Sequence, residues 1–170
     1  MGQIIETKFK ELMPGELGFC PIKLLEIIRQ ASSGELLLPC PARKSLSIPS
    51  KYVHLDGRHR ILHKKMSGEK TVNLFLAEYQ NETMTTKHLP DLPKYKYDIN
   101  NHYIALRWVD ADRLAGKLQV RDYNEYYEKL VEEYPFMENV GSFLKFAKRK
   151  NQREQRMIYG LPGIIRLDRC

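Results

Sequence analysis

Tyr52-Val53-His54-Leu55-Asp56-Gly57-Arg58-His59-Arg60-Ile61-Leu62 is the stretch on which the reading of this chain turns. Tyr52 to Leu55 has β-branched and aromatic character and reads as a strand. Asp56-Gly57 is a strong turn signal. Arg60 to Met66 reads as a short helix, stopped by Ser67-Gly68. Glycine at 57 permits backbone angles closed to other residues and lets a ligand approach closely. The N–H groups at the start of the following helix carry a partial positive charge, which suits a phosphate. Arg58, His59 and Arg60 add donors at the same end, and a guanidinium can hold phosphate with two hydrogen bonds. Asp56 stands beside these cations as an acceptor that can hold a metal ion, accept a proton or orient an arginine. The same residues also suit a plain solvated turn.

Working outward, Thr71 to Ala77 is the clearest strand in the chain. Strand, turn, helix and strand together form a βαβ-type unit, right-handed if its strands are parallel neighbours. Upstream, Gln3 to Lys10 reads as a short strand. Pro14-Gly15 then breaks the chain. Pro21 sits well at a first helical position, and Leu24, Leu25, Ile27, Ile28 and Ala31 follow at helical spacing, with Gly34 as the residue after the cap. Pro39, Pro41 and Pro49 limit residues 36–50 to a short strand or extended segment. Downstream, residues 80–100 are polar and turn-rich. A strand is expected near 103–109, a helix from Asn124 (as N-cap) to Tyr134, and a second helical stretch over 136–157 beyond Pro135.

The chain has 170 residues, 42% hydrophobic and 29% charged, which is ordinary globular composition. No apolar run approaches the roughly 20 residues that span a bilayer. The first residues lack the basic and apolar regions of a secretory signal. Membrane residence is therefore not expected, and the cytoplasm is the expected location. Cys20, Cys40 and Cys170 show no metal-ligand spacing and read as incidental thiols. Of the net charge of +7, residues 143–170 carry +6, from eight cations against Glu154 and Asp168. Lys145, Lys148, Arg149, Lys150 and Arg153 are the candidate contacts there for DNA or another acidic partner.

The motif resembles the strand, D-G-x-H-R, helix signature of ParB/sulfiredoxin-like domains. Leu12-Met13-Pro14-Gly15-Glu16 is similar to the L-x-P-x-E element near their start, and the match spans about residues 4–79. The resemblance implies an α/β (α+β) fold, with a small mixed sheet and packed helices over residues 1–80. Residues 81–170 then form a mostly helical extension with a basic tail. It implies a nucleotide such as ATP, ADP or CTP with Mg2+. Gly57, Arg58, His59 and Arg60 would contact phosphate; Gly57 and Arg60 match the Gly-x-x-Arg helix start by which ParB proteins bind CTP.

Asp56, His59 and Arg60, with Glu16, match the free serine kinase branch, although Arg58 stands where that branch has histidine. In an NTPase or small-molecule phosphotransferase, Glu16 or Asp56 would be the base or the Mg2+-associated carboxylate, and His59 would stabilise developing charge. Sulfiredoxin activity is excluded, because its cysteine is replaced by Arg58. The alternative is a DNA-binding ParB-like protein or nuclease that uses the basic tail.

Overall fold

The computed structural model describes residues 1–15, 18–79, 82–95, 119–150, 152–155, 157 and 159–161. In chain order the elements are β1 (Gln3–Lys8), β2 (Leu12–Met13), α1 (Pro21–Ser32), β3 (Cys40–Lys44), β4 (Tyr52–His54), α2 (Arg58–Met66), β5 (Thr71–Leu76), α3 (Tyr123–Glu133), α4 (Val140–Arg149) and α5 (Gln152–Gln155). The strands make one five-stranded mixed sheet in the order β1-β5-β3-β4-β2. β1 runs antiparallel to β5, from Gln3 opposite Leu76 to Lys8 opposite Thr71. β3 is parallel to β5 and antiparallel to β4, and β2 is parallel to β4. The fold class is therefore mixed α/β, as expected.

The sheet corrects the expected βαβ unit. β4 and β5 are not neighbours, because β3 lies between them, and the two pairings make them run in opposite directions. α2 thus links two antiparallel strands across an intervening one. β3 is central yet contains Pro41. Its pairing with β5 uses the flanking residues, Cys40 opposite Leu74 and Ala42 opposite Leu76, and the Ala77 N–H reaches the Ala42 carbonyl at 2.9 Å. On the β4 side the Pro41 carbonyl accepts from Leu55 N–H at 2.8 Å. Proline has no N–H to return, so the β3–β4 ladder stops there and the chain is released into the 56–57 turn.

The sheet is buried on both faces. Val72 and Leu74 of β5 pack with Leu24, Ile28, Ile61, Leu62, Tyr126, Leu130 and Phe143 in one cluster. Phe75 joins Met13, Leu38, Val53, Leu55, Met84 and Leu92 in the other. This alternation is the two-residue period of a strand. Both α1 and α2 end in glycine motifs. Gly34 (φ +81°) and Gly68 (φ +79°) are left-handed, and Glu35 N–H and Glu69 N–H reach back to the carbonyls of Gln30 and Lys64 at 3.1 Å each.

Several boundaries differ from expectation. α2 begins at Arg58, two residues earlier than read from the sequence. α3 is capped by Asp122, whose carboxylate accepts from Glu125 N–H at 3.0 Å; Asn124 lies inside the helix. α4 starts only at Val140, after a 3-10 turn at Pro135–Met137, with Asn139 as its cap. The strand expected near 103–109 falls outside the described residues. Cys40 is a free buried thiol, and Cys20 is buried at the start of α1. No helix among the described residues is long and apolar enough to cross a membrane.

The later helices are tied to the N-terminal loop by aromatic rings. Phe19 stacks on Tyr159 at 5.3 Å and meets the edges of Tyr134 and Phe136. Phe19 and Tyr159 also form an antiparallel bridge. This cluster fixes the loop that precedes α1.

Candidate functional site

β4 delivers the chain to Leu55, which is fully buried, and Asp56-Gly57 then reverses it into α2. Gly57 is the N-cap of α2, with φ +85° and ψ 24° in the left-handed region. Asp56 Oδ1 accepts the Gly57 N–H at 2.7 Å, and the Gly57 carbonyl accepts the first intrahelical bond, from Ile61 N–H, at 3.0 Å. The Cys40 thiol also approaches that carbonyl, at 3.7 Å. A Cβ at position 57 would lie 2.6 Å from Cys40 Sγ and 2.8 Å from Arg60 Nη2. Glycine is therefore required twice here, by its backbone angles and by the close approach of β3 and Arg60.

The first turn of α2 carries Arg58, His59 and Arg60 and no acidic residue. His59 is buried, and its Nε2 accepts the Cys20 N–H at 2.9 Å. Cys20 is the N-cap of α1, and the first turn of α1 likewise holds no acid. The N-terminal ends of two helices therefore meet at this histidine. Burial, followed by the Arg58 and Lys23 charges, pushes the His59 imidazole down to about 3, against an opposing effect of Asp56. His59 is thus neutral at pH 7 and serves as an acceptor for the Cys20 N–H.

Arg60 is also buried. Its Nη1 donates to the carbonyls of Leu38 at 2.7 Å and Pro39 at 3.3 Å. This side chain braces the segment entering β3, and it lines a cavity of about 260 Å³ with Leu38, Cys40, Lys64 and Glu6. Asp56, Gly57, Arg58 and His59 do not line that cavity. Arg58 and Asp56 are half-buried at the turn. Of the two expected arginines, Arg60 donates to the Leu38 and Pro39 carbonyls, and Arg58 is the first residue of α2.

Glu16 lies outside the described residues. Its neighbour Gly15 packs against β4, where a Cβ would stand 2.0 Å from the His54 carbonyl. Among the described residues, no three His, Cys, Asp or Glu side chains are grouped to hold a metal ion. Sequence reasoning missed Lys23 and Cys20. Pro21 signalled where α1 starts, but nothing local indicates that this start docks on a histidine 39 positions further on.

The candidate DNA contacts lie elsewhere. Lys145, Lys148 and Arg149 are on α4, Lys150 follows it, and Arg153 is on α5; all five are exposed. The opposite face of α4 buries Phe143 and Ala147 in the core.

No protein-family model matches the sequence, and no curated relative matches it. Among solved structures, the chain is similar to the C-terminally truncated chromosome-partitioning protein ParB from Caulobacter crescentus complexed with CTP-gamma-S. The identity is 20%, over 84% of this chain and 71% of that one, with a TM-score of 0.38.

Proposed function

We propose that the Asp56–Arg60 turn is the phosphate-binding element of a nucleotide-binding domain. The observation that carries this reading is the meeting of two helix N-termini, α1 through Cys20 and α2 through Gly57, with cationic first turns and no acid in either. In this reading the N–H groups at the start of α2 and the Arg58 guanidinium take the phosphate. Arg60 contributes its charge from beneath while holding the Leu38–Pro39 carbonyls, and neutral His59 keeps the two helices in register. Asp56 supplies one carboxylate toward Mg2+, which commonly takes only one or two from protein and the rest from phosphates and water. Glu16 is the second candidate carboxylate. Phosphoryl transfer needs mainly positioning and charge neutralisation, so an NTPase or small-molecule phosphotransferase fits this set.

Calorimetry with ATP, ADP and CTP, each with Mg2+, tests the reading. CTP belongs in the panel because the similar ParB structure holds its thio analogue. One nucleotide should bind, and Arg58→Ala should weaken it by about tenfold, the effect of losing roughly 1.4 kcal/mol. Absence of heat with all three would end the proposal.

A second reading rests on the five exposed cations of α4 and its C-terminal flank. If they contact DNA, affinity should fall with salt at a slope of about −0.9 per phosphate neutralised, and charge removal there should flatten it. Salt-insensitive binding, or cleavage unaffected by these changes, would remove this alternative.

A further inference from the structure

A second concave site lies at the other end of α2. Lys8 from the end of β1, Lys10 from a 3-10 turn at Phe9–Glu11, Lys65 from α2 and Lys70 before β5 line a cavity of about 420 Å³. Glu69 is the only acid among its lining residues. Lys65 is about eight residues along α2 from Gly57, roughly 12 Å at 1.5 Å per residue, so this is not the turn described above.

Lys65 is not a loose surface lysine. It is half-buried, donates to Asn124 Oδ1, and sits 4.9 Å from the Phe9 ring centre and 5.8 Å from that of Tyr127. Those contacts hold its ammonium in place before any ligand arrives. Burial first, and then the neighbouring Lys70, push its pKa below the usual lysine range, although Glu128 and Asp122 act in the opposite direction. Lys51 adds a further ammonium nearby, donating to the Lys10 carbonyl. Asn124 belongs to the first turn of α3, whose N-cap is Asp122 and which also carries Glu125.

Ordinary solvated lysines avoid one another, because like charges around a shared space repel. Four that line one cavity, one of them held in place, offer a site for concentrated negative charge. We propose that this cavity binds a ligand bearing two or more clustered phosphate groups. A free oligophosphate or the backbone of a nucleic acid would both supply that chemistry.

The test uses the full chain carrying Arg58→Ala, so that the outcome does not depend on the 56–60 turn. Inorganic tripolyphosphate is titrated by calorimetry at low ionic strength. It should bind, and both Lys65→Gln/Lys70→Gln and Lys8→Gln/Lys10→Gln should weaken it by about tenfold. The second pair changes only exposed side chains, so it remains informative if the first disturbs folding. A control pair at exposed lysines outside the cavity lining, Lys44→Gln/Lys87→Gln, should leave binding unchanged. No binding, unchanged binding in both cavity variants, or an equal loss in the control overturns the proposal. A single-stranded oligonucleotide that competes with tripolyphosphate would identify nucleic-acid backbone as the source. An oligonucleotide that fails to compete would leave free oligophosphate.

Discussion

Replacing Gly57 by alanine separates the two reasons for glycine at the turn. The backbone there has φ +85°, and an added Cβ would meet Cys40 Sγ at 2.6 Å, Arg60 Nη2 at 2.8 Å and Cys40 Cβ at 3.0 Å. Holding a non-glycine residue in the left-handed region costs about 1–2 kcal/mol. Forcing a methyl into a packed contact adds about 1–3 kcal/mol. Gly57→Ala should therefore lose roughly 2–5 kcal/mol. The protein supplies its own control. Gly34 has nearly the same angle, φ +81°, but nothing lies within 4 Å of its added Cβ. Gly34→Ala should cost the backbone part alone, about 1–2 kcal/mol. Urea titrations of both variants, compared through their midpoints at constant m-value, give the difference directly. Gly57→Ala/Cys40→Ala should recover part of it, since the nearest clashing atom is the Cys40 sulfur. If Gly57→Ala were no more harmful than Gly34→Ala, the close approach of β3 to the turn would be wrong, and with it the described geometry of the α2 mouth.

Three further outcomes follow from the fold. His59 has a folded-state pKa of about 3 against 6.5 unfolded, so its neutral state favours folding above the unfolded value; this stability is lost as pH falls from 6.5 toward 3, at up to about 1.4 kcal/mol per pH unit. Stability curves measured across that window should be shallower by about one proton in His59→Gln, and identical slopes would contradict the burial of this imidazole. Asp122→Ala should cost about 1 kcal/mol by uncapping α3, whereas Asn124→Ala should cost less; thermal unfolding in which the two were equal would reject Asp122 as the cap. Phe19→Ala should cost about 3–5 kcal/mol, because the ring is 1% exposed and holds Tyr134, Phe136 and Tyr159 together; a loss no greater than that of half-buried Phe136→Ala in chemical denaturation would refute its central place.

What the sequence made legible was local. Pro21 and Gly34 mark the ends of α1 because each acts through its own backbone angles, and Ser67-Gly68 ends α2 for the same reason. Thr71 to Ala77 reads as the clearest strand, and β5 forms from Thr71 to Leu76. Strand order was not legible. β3 holds three residues between prolines 41 and 49 that reach Lys44, and nothing in that composition says it inserts between β4 and β5. The insertion is possible only because Pro41 turns its missing N–H toward the end of β4. The caps of α3 were misread because Asp122 and Asn124 are both good capping residues, and their choice depends on where Lys65 and Glu125 stand in space.

The site divides along the same line. The turn itself was readable, since a glycine followed by three basic residues states both its angle and its charge. The fates of those basic residues were not. Arg58, His59 and Arg60 are consecutive on a helix, so their side chains leave it about 100° apart and must face three different environments. His59 meets the start of α1, and its ring is fixed by a single backbone N–H. Arg60 meets carbonyls at residues 38 and 39, whose approach depends on β3 lying beside β4. A side chain whose partner is brought in by strand order has no local signature, which is why the sequence does not show that Arg60 donates to the Leu38 and Pro39 carbonyls. For the proposed phosphate site, removal of Arg58 is the sharper test, because loss of Arg60 would also unfasten the Leu38–Pro39 segment.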